Sequence, residues 1–241
     1  MKRYWNLLTL FFLFPSCTMI GVHDMESVQN SDFGPREELR VCIYKDVNIS
    51  EEQAQEIIAE MKDEFAQFNI DIQVPWMTDW ERPGFTWDEI LTDVASRPLE
   101  APCDRQFAMV GRDFKDFLWG VIMPEWHGAV ETHTMTKGFA VAELGSLNQL
   151  ATLKSPKAIA THEIYHFLGC GHDLHADACY AQISRIKGAA RKNRAMGRDF
   201  FPSMNFDGKT FWNRKEINRQ FETDRDPSGC YGQNQPVKGP C

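Results

Sequence analysis

Apolar positions along this chain switch between a period of two and a period near three and a half, and the switches mark out its elements. Arg40 to Val47 alternates, with Val41, Ile43 and Val47 apolar, which predicts a strand. Ser50-Glu51-Glu52-Gln53 has the form of a capping box. Ala54, Ile57, Ile58, Met61, Phe65 and Phe68 follow it at helical spacing, so a helix is expected to about Asn69. Ile70, Ile72 and Val74 then alternate with Asp71 and Gln73 until Pro75 stops the run. Strand, long helix and strand at this spacing form a βαβ unit, which makes the first two strands parallel.

Further along, Thr86-Trp87-Asp88-Glu89 is a second capping box, opening a short helix through Ile90, Leu91 and Val94. Strands are expected at Arg105 to Gly111, Trp119 to Met123 and Gly138 to Leu144. Ser155-Pro156 supplies an N-cap and a first-turn proline for a helix running to about Leu168, with Ile159, Ile164, Phe167 and Leu168 facing inward. A basic helical stretch, Ala178 to Gly197, and a closing helix, Phe211 to Phe221, complete the pattern.

The N-terminus changes the picture. Lys2 and Arg3 precede an apolar run, Leu7 to Phe14, too short to span a bilayer and suited to a signal-peptide core. Leu13-Phe14-Pro15-Ser16-Cys17 resembles a bacterial lipoprotein signal, with Cys17 as the lipidation site; an ordinary secretory signal is the alternative. Either way residues 1–17 are expected to direct export, to the cell envelope or beyond it. Residues 18–38 are polar and aperiodic, a tether or a short pro-segment in which Asp24 or Asp32 could block a metal site. The remaining 39–241 suit one compact domain.

A net charge of −8 with no basic tail argues against nucleic acid as a partner. Apart from Cys17, six cysteines remain: Cys42, Cys103, Cys170, Cys179, Cys230 and Cys241. An even set in an exported chain reads as disulfides, and fifteen pairings are open. The basic residues Arg185, Lys187, Arg191, Lys192, Arg194 and Arg198 read as a solvated helix face or as an attraction for acidic substrates. His23, His127 and His133 carry no partner pattern, and His175 fits a ligand set less well than His172 does.

The candidate chemistry lies in Thr161 to Asp173. On a helix His162 and His166 share a face and can offer two imidazoles to one metal ion. Glu163 lies beside that face, where its carboxylate can take a proton from a metal-bound water. A continuing helix would turn His172 away, so the chain must leave the helix, and Gly169 tolerates the left-handed exit. His162, His166 and His172 then give three nitrogen ligands and an open fourth position, the arrangement of a catalytic zinc.

This pattern, HExxHxxGxxH, resembles the signature of the metzincin clan of zinc endopeptidases. The resemblance implies an α/β (α+β) fold: a twisted, mostly parallel sheet with an antiparallel edge strand, an active-site helix and a small C-terminal subdomain. The upper subdomain would cover about 39–171 and the lower about 172–241. It implies one catalytic Zn2+, Glu163 as the catalytic carboxylate, a protein or peptide substrate and a monomeric enzyme. A methionine in a turn beneath the metal is also implied; Met204 is favoured over Met196, and its turn leads into the closing helix. One of the segments Trp119 to Met123 or Gly138 to Leu144 would be the edge strand that holds substrate by strand addition.

In the metzincin sheet the first and third strands are parallel neighbours. That places Cys42 and Cys103 within disulfide reach, and Cys170–Cys179 and Cys230–Cys241 would then close short loops. Phe206 stands where the astacin and serralysin subgroups carry a metal-reaching tyrosine, while Asp173 after His172 is similar to the adamalysin-like subgroup. The resemblance is to the clan and not to one subfamily. The alternative function is a metzincin-like binding lipoprotein that retains zinc without turnover.

Overall fold

The structure is a computed structural model, and it describes residues 25–112, 116, 127–143, 155–172 and 176–223. In chain order the elements are α1 (Met25–Asn30), β1 (Glu37–Asp46), α2 (Glu51–Ala66), β2 (Ile70–Gln73), β3 (Met77–Trp80) and α3 (Trp87–Ser96). There follow β4 (Arg105–Val110), β5 (Gly128–Val130), β6 (Lys137–Val141), α4 (Pro156–Phe167) and α5 (Ala176–Ala195). Last come β7 (Ser203–Met204), β8 (Thr210–Phe211) and α6 (Arg214–Thr223). The signal segment, Cys17, His23, Asp24, the strand expected at Trp119 to Met123, Asp173, His175 and the Cys230–Cys241 pair lie outside the described residues. Among the described residues no helix is long and apolar enough to cross a membrane.

The main sheet has the order β2-β1-β4-β6-β5, with β3 also beside β1. The early half of β1 pairs in parallel with β2, and its later half pairs in parallel with β3 on the same side. β4 and β6 continue the parallel run, and β5 closes the edge antiparallel to β6. This is an α/β fold with a mostly parallel sheet and one antiparallel edge, beside a small two-stranded sheet of β7 and β8.

Period-two alternation sorts the two faces of this sheet. Val41 and Ile43 of β1 and Phe107 and Met109 of β4 face α2, α4 and α5, where they join Met61, Phe65, Ile164 and Ile183. Tyr44, Ala108 and Val110 point the other way, toward Ile90 and Val94 of α3. Each such buried large apolar side chain contributes about 1.5–3 kcal/mol, an upper figure because unfolded chains are partly collapsed.

Several elements differ from the sequence expectation. Ser50 Oγ accepts from Gln53 N at 3.2 Å, but the Gln53 side chain donates to Ala142 O at 3.0 Å, so only half of that capping box closes. The Thr86–Glu89 box closes on both sides. α2 ends at Ala66, and Asn69 turns the chain at φ 54°. β3 had no expected counterpart, and Val47, expected to point inward, is exposed. Phe211 belongs to β8, and the closing helix starts at Arg214. The segment expected at Gly138 is the interior strand β6; among the described residues the antiparallel edge is β5, whose three residues are too few to show an alternation.

Part of the segment read as a tether is packed. The Phe33 ring meets Phe68 edge-on at 5.0 Å and Tyr180 at 6.2 Å, and Ser184 Oγ donates to Asp32 O at 3.4 Å. Asp32 Oδ1 accepts from Gly34 N at 2.7 Å, a local turn bond. Along α5, Arg185, Lys192 and Arg194 are exposed and Arg191 is half-buried; Arg198, just beyond the helix, is exposed. Lys187 instead shares the inward face with Ile183 and Ile186, fully buried, and its Nζ donates to Phe68 O at 2.6 Å.

The disulfides Cys42–Cys103 and Cys170–Cys179 are both formed, with Cα separations of 5.6 Å and 5.0 Å. The first follows from the register, because Val41 in the middle of β1 stands opposite Arg105 at the start of β4, which brings Cys42 beside the segment that carries Cys103.

Candidate metal centre

The site is built on α4. Ser155 Oγ accepts from Ala158 N at 3.1 Å and Pro156 fills the first turn, so the helix begins where the sequence places it. Ile159, Ile164 and Phe167 bury one side against α2 and the sheet. That packing fixes the rotation of the helix, and with it the direction of His162 and His166.

The exit from α4 brings in the third histidine. Gly169 adopts φ +85°, its N–H donates to His166 O at 2.8 Å, and Cys170 N donates to Tyr165 O at 3.1 Å. These two bonds make a Schellman motif with glycine in the left-handed position. Space demands glycine as well: a Cβ there would stand 2.7 Å from Gln182 Nε2 and 3.1 Å from Met204 O. The reversal returns His172 toward the helix. One ring nitrogen from each of His162, His166 and His172 then lies within 4.8 Å of the others. The His162 and His166 Nε2 atoms are 3.2 Å apart.

The three ligand candidates differ in exposure: His166 is buried, His162 half-buried and His172 exposed, so the cluster opens on one side to solvent. His166 Nδ1 lies 2.6 Å from Cys170 O. A carbonyl only accepts, so Nδ1 carries the proton and Nε2 presents its lone pair to the cluster. Burial, and next the neighbouring His162, push the His166 pKa down to about 3. The imidazole is therefore neutral over the ordinary pH range, the form that binds metal. Three imidazole nitrogen donors around an open side suit a transition metal ion, and the cluster could hold one.

Glu163, next to His162 on α4, is buried, and its carboxylate lies against β5: a Cβ on Gly128 would stand 2.5 Å from Glu163 Oε1. Below the helix exit, Met204 Sδ accepts from Gln182 Nε2 at 2.7 Å. The Phe206 ring stands edge-on to His166 at 6.1 Å and is 47% exposed. Met196 is exposed at the end of α5, away from this packing. His133 lies in the turn after β5, and His127 immediately precedes that strand.

Sequence reasoning missed the residue that joins these parts. Arg105 is fully buried and donates to Phe167 O at 3.2 and 3.1 Å, to Phe201 O at 3.1 Å and to Pro202 O at 2.7 Å. It clamps the end of α4 to the turn that leads into Met204. Burial pushes its pKa down to about 10, with Asp104 and then Glu131 opposing that shift. Asp104, also buried, accepts from Arg40, from Arg214 and from Phe201 N, tying the C-terminal segment to the sheet. No spacing rule foretells an inward arginine at a strand start.

The fold and site together define an α/β protein with a mostly parallel sheet and a three-histidine cluster compatible with a metal ion. Comparison with known proteins finds no protein-family model that matches the chain and no curated protein with significant similarity to it.

Proposed function

We propose that this protein is a zinc-dependent endopeptidase of metzincin type, acting on protein or peptide substrates outside the cytoplasm. The observation that carries the reading is the convergence of His162, His166 and His172, with a buried carboxylate, Glu163, next to His162 on the same helix. The donor chemistry fits: three imidazoles, one of them oriented by a carbonyl, would leave a coordination position free, as catalytic zinc sites do. His162, His166 and His172 would hold the ion. When bound, zinc supplies Lewis acidity to the scissile carbonyl and acidifies the attacking water.

The remaining work belongs to the chain. Glu163 takes the proton from the attacking water and delivers it to the leaving amine, a role for which a buried carboxylate next to the ligands is placed. Among the described residues β5 is the edge of the sheet, and that edge would hold an extended substrate backbone by strand addition. Gly169 and strand β7, which carries Met204, would form the floor of the site. Export, with lipid at Cys17 as the membrane attachment, accords with two disulfides in a chain whose N-terminus reads as a signal. Metal analysis of the purified protein, with cleavage of a denatured-protein mixture before and after chelation, tests the reading. Cleavage lost on chelation and restored by zinc is the expected result. Zinc binding without turnover would favour the binding lipoprotein.

A further inference from the structure

Gly128 is out of place by propensity. Glycine weakens a strand and often marks a close approach. The neighbour here is Glu163: a Cβ at Gly128 would lie 2.5 Å from Oε1 and 2.9 Å from both Cδ and Cγ. We propose that Gly128 is a positioning residue for Glu163, its missing side chain being the space in which that carboxylate sits, on the helix that carries His162 and His166.

The strand is not free to give way. Immediately before β5, Val141 N donates to His127 O at 2.7 Å, and immediately after it Glu131 N donates to Lys137 O at 2.9 Å. The Glu131 carboxylate, itself buried, accepts from His133 N and Thr134 N at 2.9 Å and from Thr136 N at 2.8 Å, pinning the turn that follows. Glu163 has rotatable bonds and β5 is tied at both ends. A methyl group at position 128 therefore displaces the carboxylate, by about 1 Å if ordinary van der Waals separation is restored. Displacement on that scale at a reacting group lowers a rate by about 10²-fold.

The activity part of this inference rests on the reading of Glu163 as the proton-transfer group; the structural part does not. The test uses the full chain loaded with zinc, as parent, Gly128→Ala, Glu163→Asp and Gly128→Ala/Glu163→Asp. Crystal structures should show the carboxylate moved in Gly128→Ala with β5 in place. Zinc content should match the parent, and kcat on a peptide substrate should fall about 10²-fold with KM little changed. The double variant should lose less than the product of the single losses, because the shorter side chain vacates the space. If Gly128→Ala does not fold, Gly128→Ala/Glu163→Ala should fold, since the clash is gone; failure of both overturns the proposal. So does an unmoved carboxylate beneath a shifted β5, or losses that simply multiply. A parent that binds zinc and cleaves no peptide refutes the proposed function, and the crystallographic comparison still decides the role of Gly128.

Discussion

His166 Nδ1 and Cys170 O stand 2.6 Å apart, so one candidate ligand is oriented by the first residues beyond its own helix. Cys170 is held by the Schellman turn at Gly169 and by its disulfide to Cys179 on α5. The disulfide therefore reaches the ligand through a carbonyl. Partners of this kind typically change metal affinity by about 10–100-fold when removed. In Cys170→Ala/Cys179→Ala, zinc affinity should fall by that factor, measured by competition with a chromogenic chelator. Cys42→Ala/Cys103→Ala should leave zinc affinity near the parental value. It should cost more stability, because it opens a loop of 61 residues against 9, roughly 4 against 3 kcal/mol in the chain-entropy model.

Glu163→Gln keeps the side chain's size and removes its basicity. Zinc content should be unchanged, and peptide turnover should fall by about 10²–10⁴-fold. His172→Ala should lose zinc and turnover together, since it removes one of three nitrogens. Metal analysis beside a cleavage assay separates the two, and a Glu163→Gln variant as active as the parent would remove Glu163 from the mechanism.

Arg105→Met should be among the most damaging substitutions outside the histidines. It strips the donors from the carbonyls of Phe167, Phe201 and Pro202 inside the core. Breaking a buried network of this size typically costs more than about 4 kcal/mol, against about 0.5 kcal/mol for an exposed control such as Arg198→Met. Denaturant unfolding of both variants measures the difference.

Lys187 gives a pH signature. Burial pushes its pKa down to about 8 from the ordinary 10.5 of a lysine. Between these values the unfolded chain holds the proton more often than the folded one, so this group makes stability rise with pH there. The penalty for the buried ammonium is complete below pH 8 and gone above 10.5. Relative to Lys187→Met, the parent should gain stability as pH goes from 8 to 10. Unfolding curves at matched ionic strength test this, and a constant difference would show that the lysine titrates normally.

The sequence by itself determined what depends on neighbours along the chain. The period of the apolar residues placed β1, α2, β2, α3, β4 and α4, and caps at Ser50, Thr86 and Ser155 located helix starts, because a cap bonds its own first turn. The four-residue spacing of His162 and His166, with Gly169 before His172, was enough to expect a cluster, since helix geometry and the left-handed turn are local. Tertiary structure decided what depends on distant neighbours. β5 became the antiparallel edge by pairing with β6, Arg105 found its acceptors some sixty and ninety-odd residues away, and Lys187 turned inward to a carbonyl at the end of α2. Burial of a charged side chain is settled by the partners that packing supplies, and residue type carries no record of them. The same holds for Gly128, whose missing side chain acquires meaning only once Glu163 is packed against it.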